Sequence, residues 1–95
     1  MQLGRVVGQV VATVRSPGFD NVSLLLVRDA TDEDAGDAST CVAVDLVGAG
    51  DGDVVLMTTG SAARVAAGDH TPTDRAVVAI ADSVIRNGTV TYRTA

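Results

Sequence analysis

Residues 3–14 read LGRVVGQVVATV. The even-numbered positions, Gly4, Val6, Gly8, Val10, Ala12 and Val14, are all small or apolar. The odd-numbered ones mix Leu3, Val7 and Val11 with Arg5, Gln9 and Thr13. A period of two with many β-branched residues predicts one strand through this whole stretch, with a core face and a mixed face. Gly4 and Gly8 fall on the expected inward face. A missing side chain there permits strong coiling and close backbone approach, as a small barrel requires.

Working outward, Ser16-Pro17-Gly18 and Asp20-Asn21 are turn chemistry. The next strand is expected at 23–28 (SLLLVR), where Leu24 and Leu26 oppose Leu25 and Val27, so both faces are apolar. The polar segment 31–37 reads as a solvated loop. A third strand at 41–47 sets Val42, Val44 and Leu46 on one face and Asp45 on the other. The glycine-rich turn 48–53 (GAGDGD) leads into a fourth strand at 54–58. Ser61 is the expected N-cap of a short helix over 62–67, with Gly68 just past its end. A fifth strand is expected at 76–85, and Asn87-Gly88 predicts a type I′ turn into a short strand at 89–93. The pattern is mainly β: a small five-stranded, OB-like β-barrel with one short helix and a C-terminal β-hairpin, one domain over residues 1–95.

Composition adds exclusions. The 95 residues carry 7 basic side chains, all arginine, against 12 acids, for a net charge of −5. That balance argues against nucleic acid and anionic membranes as partners, since both are polyanions. The chain is 46% hydrophobic yet only 2% aromatic, with Phe19 and Tyr92 alone. Val, Ala and Leu bury less area per residue than aromatics, so a solitary core is hard to stabilise. Strands apolar on both faces lead to the same expectation, an oligomer whose neighbours cover the outer side. A single cysteine, Cys41, excludes an internal disulfide framework and fits a reducing compartment. Arg5 and Gln9 interrupt the N-terminal apolar stretch, which therefore has no secretory h-region. The longest apolar run, 76–81, falls far short of the ~20 residues that span a bilayer. The expected location is the cytoplasm.

Candidate chemistry is sparse. The 48–53 turn misses both phosphate-loop patterns, because Asp53 stands where a glycine is needed and lysine is absent. A calcium loop starting at Asp32 fails at Asp37, where glycine is required, and at Ala43, where glutamate is. Ser61, Cys41 and His70 lack the local signatures of a nucleophilic site, and His70 has no nearby second metal-ligating histidine or cysteine. No catalytic, cofactor or metal residue is expected.

The motifs taken together resemble the CcmL/EutN family of bacterial microcompartment vertex proteins. The matching stretches are 3–13 (LGRVVGQVVAT), 24–27 (LLLV), 42–56 (VAVDLVGAGDGDVVL), 60–64 (GSAAR) and 77–84 (VVAIADSV). The resemblance implies a barrel that assembles as a homopentamer and caps shell vertices, with hexameric and trimeric shell proteins as partners. It implies neither enzyme activity nor a cofactor, and no nucleic-acid or membrane partner. Subunit contacts or the ring axis are expected at Gly48, Ala49, Gly50, Gly52, Asp53, Gly60, Ser61 and Arg64. Ala62 departs from the family, which often has a second serine there. The alternative is an OB-like nucleic-acid or ligand-binding module, which strand count alone supports.

Overall fold

The computed structural model describes residues 1–30 and 39–94. Five strands form a closed barrel: β1 (Gln2–Val10), β2 (Ser23–Asp29), β3 (Thr40–Asp45), β4 (Val54–Thr59) and β5 (Arg75–Ile80). Their order around the barrel is β1-β2-β3-β5-β4, closed by β4 against β1. All neighbours are antiparallel except β3 and β5. A helix, α1 (Ser61–Ala67), links β4 to β5, and β6 (Ser83–Arg86) with β7 (Thr89–Arg93) forms a separate two-stranded sheet. The expected five-stranded barrel, short helix and C-terminal hairpin are all present. The 32–37 calcium-loop reading concerns residues outside those described.

Inside the barrel, Val6, Leu25, Val27, Ala43, Val55, Met57 and Val77 make one buried cluster, with Cys41 and Ala49 packed against it. The largest of these is Met57, so an aromatic-free palette fills a narrow interior. Gly4 is required by the close approach of β2. A Cβ there would collide with Val27 Cγ1 and lie 3.1 Å from Met57 Cε.

The first strand departs from expectation in length and in phase. Val6 pairs with Val27, but the next pair is Gly8 with Leu26, so Val7 is the extra residue of a bulge. Directly opposed residues share a face. Past the bulge, Gly8 and Val10 therefore go with Leu26 and Leu24, not with the core residues Val27 and Leu25. The even positions point inward only as far as Val6. The strand also ends at Val10 and does not continue to Val14. Arg15 diverts the chain: its Nε donates to the Ala12 carbonyl at 2.8 Å, and its Nη1 donates to Phe19 and Val22 carbonyls at 3.0 and 2.6 Å. These bonds satisfy carbonyls that a longer strand would have paired in a ladder.

The expected fifth strand, 76–85, is two elements. β5 ends at Ile80, where Ala81 N–H donates to the Val54 carbonyl, and β6 starts at Ser83 in the other sheet. The apolar run continues across the break, which hides it from a periodicity reading. Asn87 and Gly88 have φ of 52° and 76°, as the predicted type I′ turn requires. The helix begins one residue early: Gly60, at φ 61°, is the N-cap, and Ser61 is the first helical residue without capping through its hydroxyl.

Two outcomes are expected. Gly4→Ala should lower unfolding free energy by about 1–3 kcal/mol, read by denaturant titration, because the added methyl overpacks a closed barrel. Burial raises the Cys41 thiol above its ordinary value of 9.0, with Arg75 pulling it partly back. The native thiol thus stays protonated where the unfolded one ionises. Its contribution to stability is full below the unfolded value and is lost as pH rises through the native one. Urea midpoints should therefore fall more steeply above pH 9 in the parent than in Cys41→Ala.

Candidate assembly interface

The β1 bulge decides what the barrel shows to its surroundings. Across β1, β2 and β3, the residues paired on the outer side are Gly8, Leu26 and Val42, followed by Val10 and Leu24, whereas Val44 on the same side of β3 is already buried within the single chain. The rows on the inner face are Val6–Val27–Cys41 and Leu25–Ala43, and Gln9, paired with Leu25, is exposed. Both sides of β2 and β3 are therefore apolar, as the SLLLVR stretch indicates. Val42, Leu46 and Val47 are 45%, 40% and 40% exposed in the single chain, and Val7 at the bulge is also exposed. A contiguous apolar face on the outside of a small barrel marks a surface that another molecule covers.

The glycine turn borders this face. Its glycines relieve two backbone constraints, with Gly48 at φ 76° and Gly52 at φ 86°. Its acids are spent locally. Asp45 Oδ1 accepts the Val47 and Gly48 N–H groups, both at 3.1 Å, and Asp53 Oδ2 accepts the Gly50 N–H at 2.8 Å. β1 locks the turn from the side: Gly52 N–H donates to the Val6 carbonyl at 2.8 Å, and Val6 N–H to the Asp53 carbonyl at 2.9 Å. Arg5 Nη1 donates to the Gly52 carbonyl at 3.0 Å. The turn is a rigid, anionic rim, which suits neither phosphate nor a flexible lid.

The remaining expected contacts stand elsewhere. Gly60, Ser61 and Arg64 lie at the start of α1, which follows β4, whereas Gly48, Ala49, Gly50, Gly52 and Asp53 precede it. Six residues of β4 separate the two groups, about 20 Å at ordinary strand rise. The structure thus divides the expected set into two places. Gly60, Ser61 and Arg64 border an open groove of about 410 Å³ with Pro72, Thr73 and Asp74. Arg64 is exposed, and its guanidinium has no hydrogen-bond or ion-pair partner among the described residues. Ala63 is fully buried and seats the helix.

The sequence points to the glycine loops and not to the outward apolar side chains Leu26, Val42, Leu46 and Val47. The signal was present in the two-faced strands, but selecting the outward face needs the register. The groups weighed for catalysis do not converge. His70 is exposed in its loop, and its carbonyl and Pro72 approach Gly18 so closely that a Cβ there would meet Pro72 Cδ at 2.7 Å. The Cys41 thiol turns to Met57 Sδ at 4.0 Å. No group of three metal-ligating side chains exists among the described residues.

Comparison with known proteins places this geometry in context. Residues 1–82 match the family model described as "Ethanolamine utilisation protein EutN/carboxysome". The bacterial microcompartment shell vertex protein GrpN of Rhodospirillum rubrum is 45% identical over 85 residues, covering 88% of this chain and 96% of GrpN. The solved structure of GrpN, described as a pentameric microcompartment shell protein, superposes with a TM-score of 0.78 at 42% identity, covering 90% of this chain and 98% of that one. A carboxysome subunit, CcmL, superposes with a TM-score of 0.88 at 38% identity, covering all of both chains.

Proposed function

The chain belongs to the EutN/CcmL family of microcompartment shell vertex proteins, and from that premise we propose that five copies close into a ring that caps the vertices of a protein shell. The observation that carries this reading is the apolar outer face of β2 and β3, rigidly framed by the glycine turn. A surface of that kind on each copy, meeting a different surface on the next, makes a heterologous contact. Such contacts close into a ring when the rotation between copies divides a full turn. A layer of hexagonal tiles is flat, and replacing a hexagon with a pentagon removes a wedge and introduces curvature. The protein is structural, not enzymatic, and its task is closure of the shell.

The whole chain, residues 1–95, acts in this reading as one vertex unit, with hexameric and trimeric shell proteins as its neighbours. The Gly48–Ala49–Gly50 and Gly52–Asp53 turn and the Gly60–Ser61–Arg64 corner serve as two separate contacts, since β4 holds them apart. Arg64 bonds a neighbouring copy, because its exposed guanidinium beside an open groove offers a planar, bidentate donor pair. The alternative, a nucleic-acid or ligand-binding barrel, is not favoured: the relatives are shell vertex proteins, and the acidic chain would repel a polyanion.

Native mass spectrometry should give a mass near five times the 9.6 kDa protomer. A monomer at micromolar concentration would overturn the proposal. Arg64→Ala should keep the fold but raise the concentration at which the ring dissociates by about 10-fold, the value of one good polar contact. Unchanged dissociation on dilution would remove Arg64 from the interface.

A further inference from the structure

A backbone nitrogen that attacks the side-chain carbonyl of the residue before it closes a succinimide ring. The ring forms most readily at asparagine and at Asp-Gly, and the chain has three such places: Asn21-Val22, Asp51-Gly52 and Asn87-Gly88. Attack needs a free nitrogen and a chain able to bring it to the side chain. Two of the places are shut by the fold. Gly52 N–H donates to the Val6 carbonyl at 2.8 Å, so attack on Asp51 requires the closed barrel to open. Val22 N–H is directed at the Phe19 carbonyl at 3.4 Å, its β-branched side chain crowds the nitrogen, and Arg15 holds its carbonyl at 2.6 Å. Asn21 and Asn87 are both exposed, with φ of 64° and 52°, so neither exposure nor backbone shape separates them.

Asn87-Gly88 is open on each count. The last pair of the β6–β7 ladder is Arg86 with Thr89, which leaves the Gly88 N–H outside the ladder, and it makes no turn bond among the described residues. Gly88 carries no side chain to shield its nitrogen, and even a Cβ there would meet nothing within 4 Å. The Asn87 carboxamide has no hydrogen-bond partner among the described residues. The hairpin is a two-stranded sheet separate from the barrel, and such a sheet is marginal in water. Its turn therefore opens at a lower free-energy cost than barrel unfolding.

We propose that Asn87-Gly88 is a self-modification site, a one-way timer built into the hairpin. The Gly88 nitrogen gives its proton to hydroxide and attacks Asn87 Cγ. The Cγ–Nδ2 bond breaks, and ammonia leaves. Water then opens the ring. Addition at Cγ yields aspartate, and addition at the backbone carbonyl carbon yields isoaspartate, whose main chain runs through Cβ. No electrons are transferred, since one amide and one water become one carboxylate and one ammonium. Either product places the first acid within residues 83–94. The isoaspartate also adds an atom to the backbone of a two-residue type I′ turn, which loosens the pairing of Ile85 with Val90.

The test incubates the parent chain and Asn87→Gly in mildly alkaline buffer, followed by trypsin and liquid chromatography with mass spectrometry. Cleavage after Arg86 and Arg93 isolates residues 87–93. In the parent this peptide should split into aspartate and isoaspartate forms that have exchanged NH for O. It should do so at least about 10-fold faster than Asn21 deamidates or Asp51 isomerises. The rate should rise with pH, because the attacking nitrogen must lose its proton. Asn87→Gly keeps a residue suited to positive φ, so it should retain the barrel's circular dichroism while its peptide stays unchanged. Urea should release Asp51-Gly52 to react, because the bond to Val6 is then gone. Asn87 surviving as long as Asn21 overturns the site. Asn87 and Asp51 reacting at one common rate in the native protein also overturns it, since both would then wait for the barrel to unfold.

Discussion

Barrel closure depends on one strand, β1, which is hydrogen-bonded along both edges over residues 4–6. Gly4 and Arg5 pair with β2 on one side and β4 on the other, and Val6 joins β2 to the glycine turn. A strand shared in this way fixes the tilt of everything else, since the register on either side must satisfy the same backbone. Gly4 makes the double pairing possible by leaving room for Val27, and the bulge at Val7 ends it. Beyond the bulge, β1 serves β2 alone until Arg15 draws the chain away from the sheet.

The same bulge sets the outward chemistry. By flipping the phase of β1 it adds Gly8 and Val10 to the face already formed by Leu24, Leu26 and Val42. A short barrel filled by valine, alanine, one leucine and one methionine removes limited apolar area from water. Placing a second apolar layer outside lets assembly add the burial that the interior cannot hold. Stability and association are therefore linked, and a protomer of this construction gains its full stability within its ring.

The glycine turn shows how a loop becomes a rigid edge. Asp45 and Asp53 cap the backbone N–H groups of the turn, while Val6 and Arg5 hold its other side. Every one of these bonds is made within the single chain, so the rim is shaped before any neighbour meets it. The corner at Gly60 is built differently. A left-handed glycine turns the chain into α1, and Ala63 anchors the helix, leaving Arg64 exposed beside an open groove. Two preformed edges about a strand's length apart suit a subunit that must meet its neighbours at a fixed angle.

Much of this was legible in the residues themselves. Strand content follows from local alternation, the type I′ turn from Asn87-Gly88, and the need for partners from strands with no polar face. The family follows from the series of motifs at their spacing. Those signals are local, or they are additive along the chain. The face on which Gly8 lies, the end of β1 at Val10 and the break after Ile80 are not local. Each depends on which residue of a distant strand completes a hydrogen bond, and a one-residue slip in that pairing exchanges inside for outside. Sequence by itself determined a small, two-sided apolar barrel of a known family. Only the tertiary structure decided which side faces out, because interstrand register, set by the Val7 bulge, is a property of pairs of strands and not of any one of them.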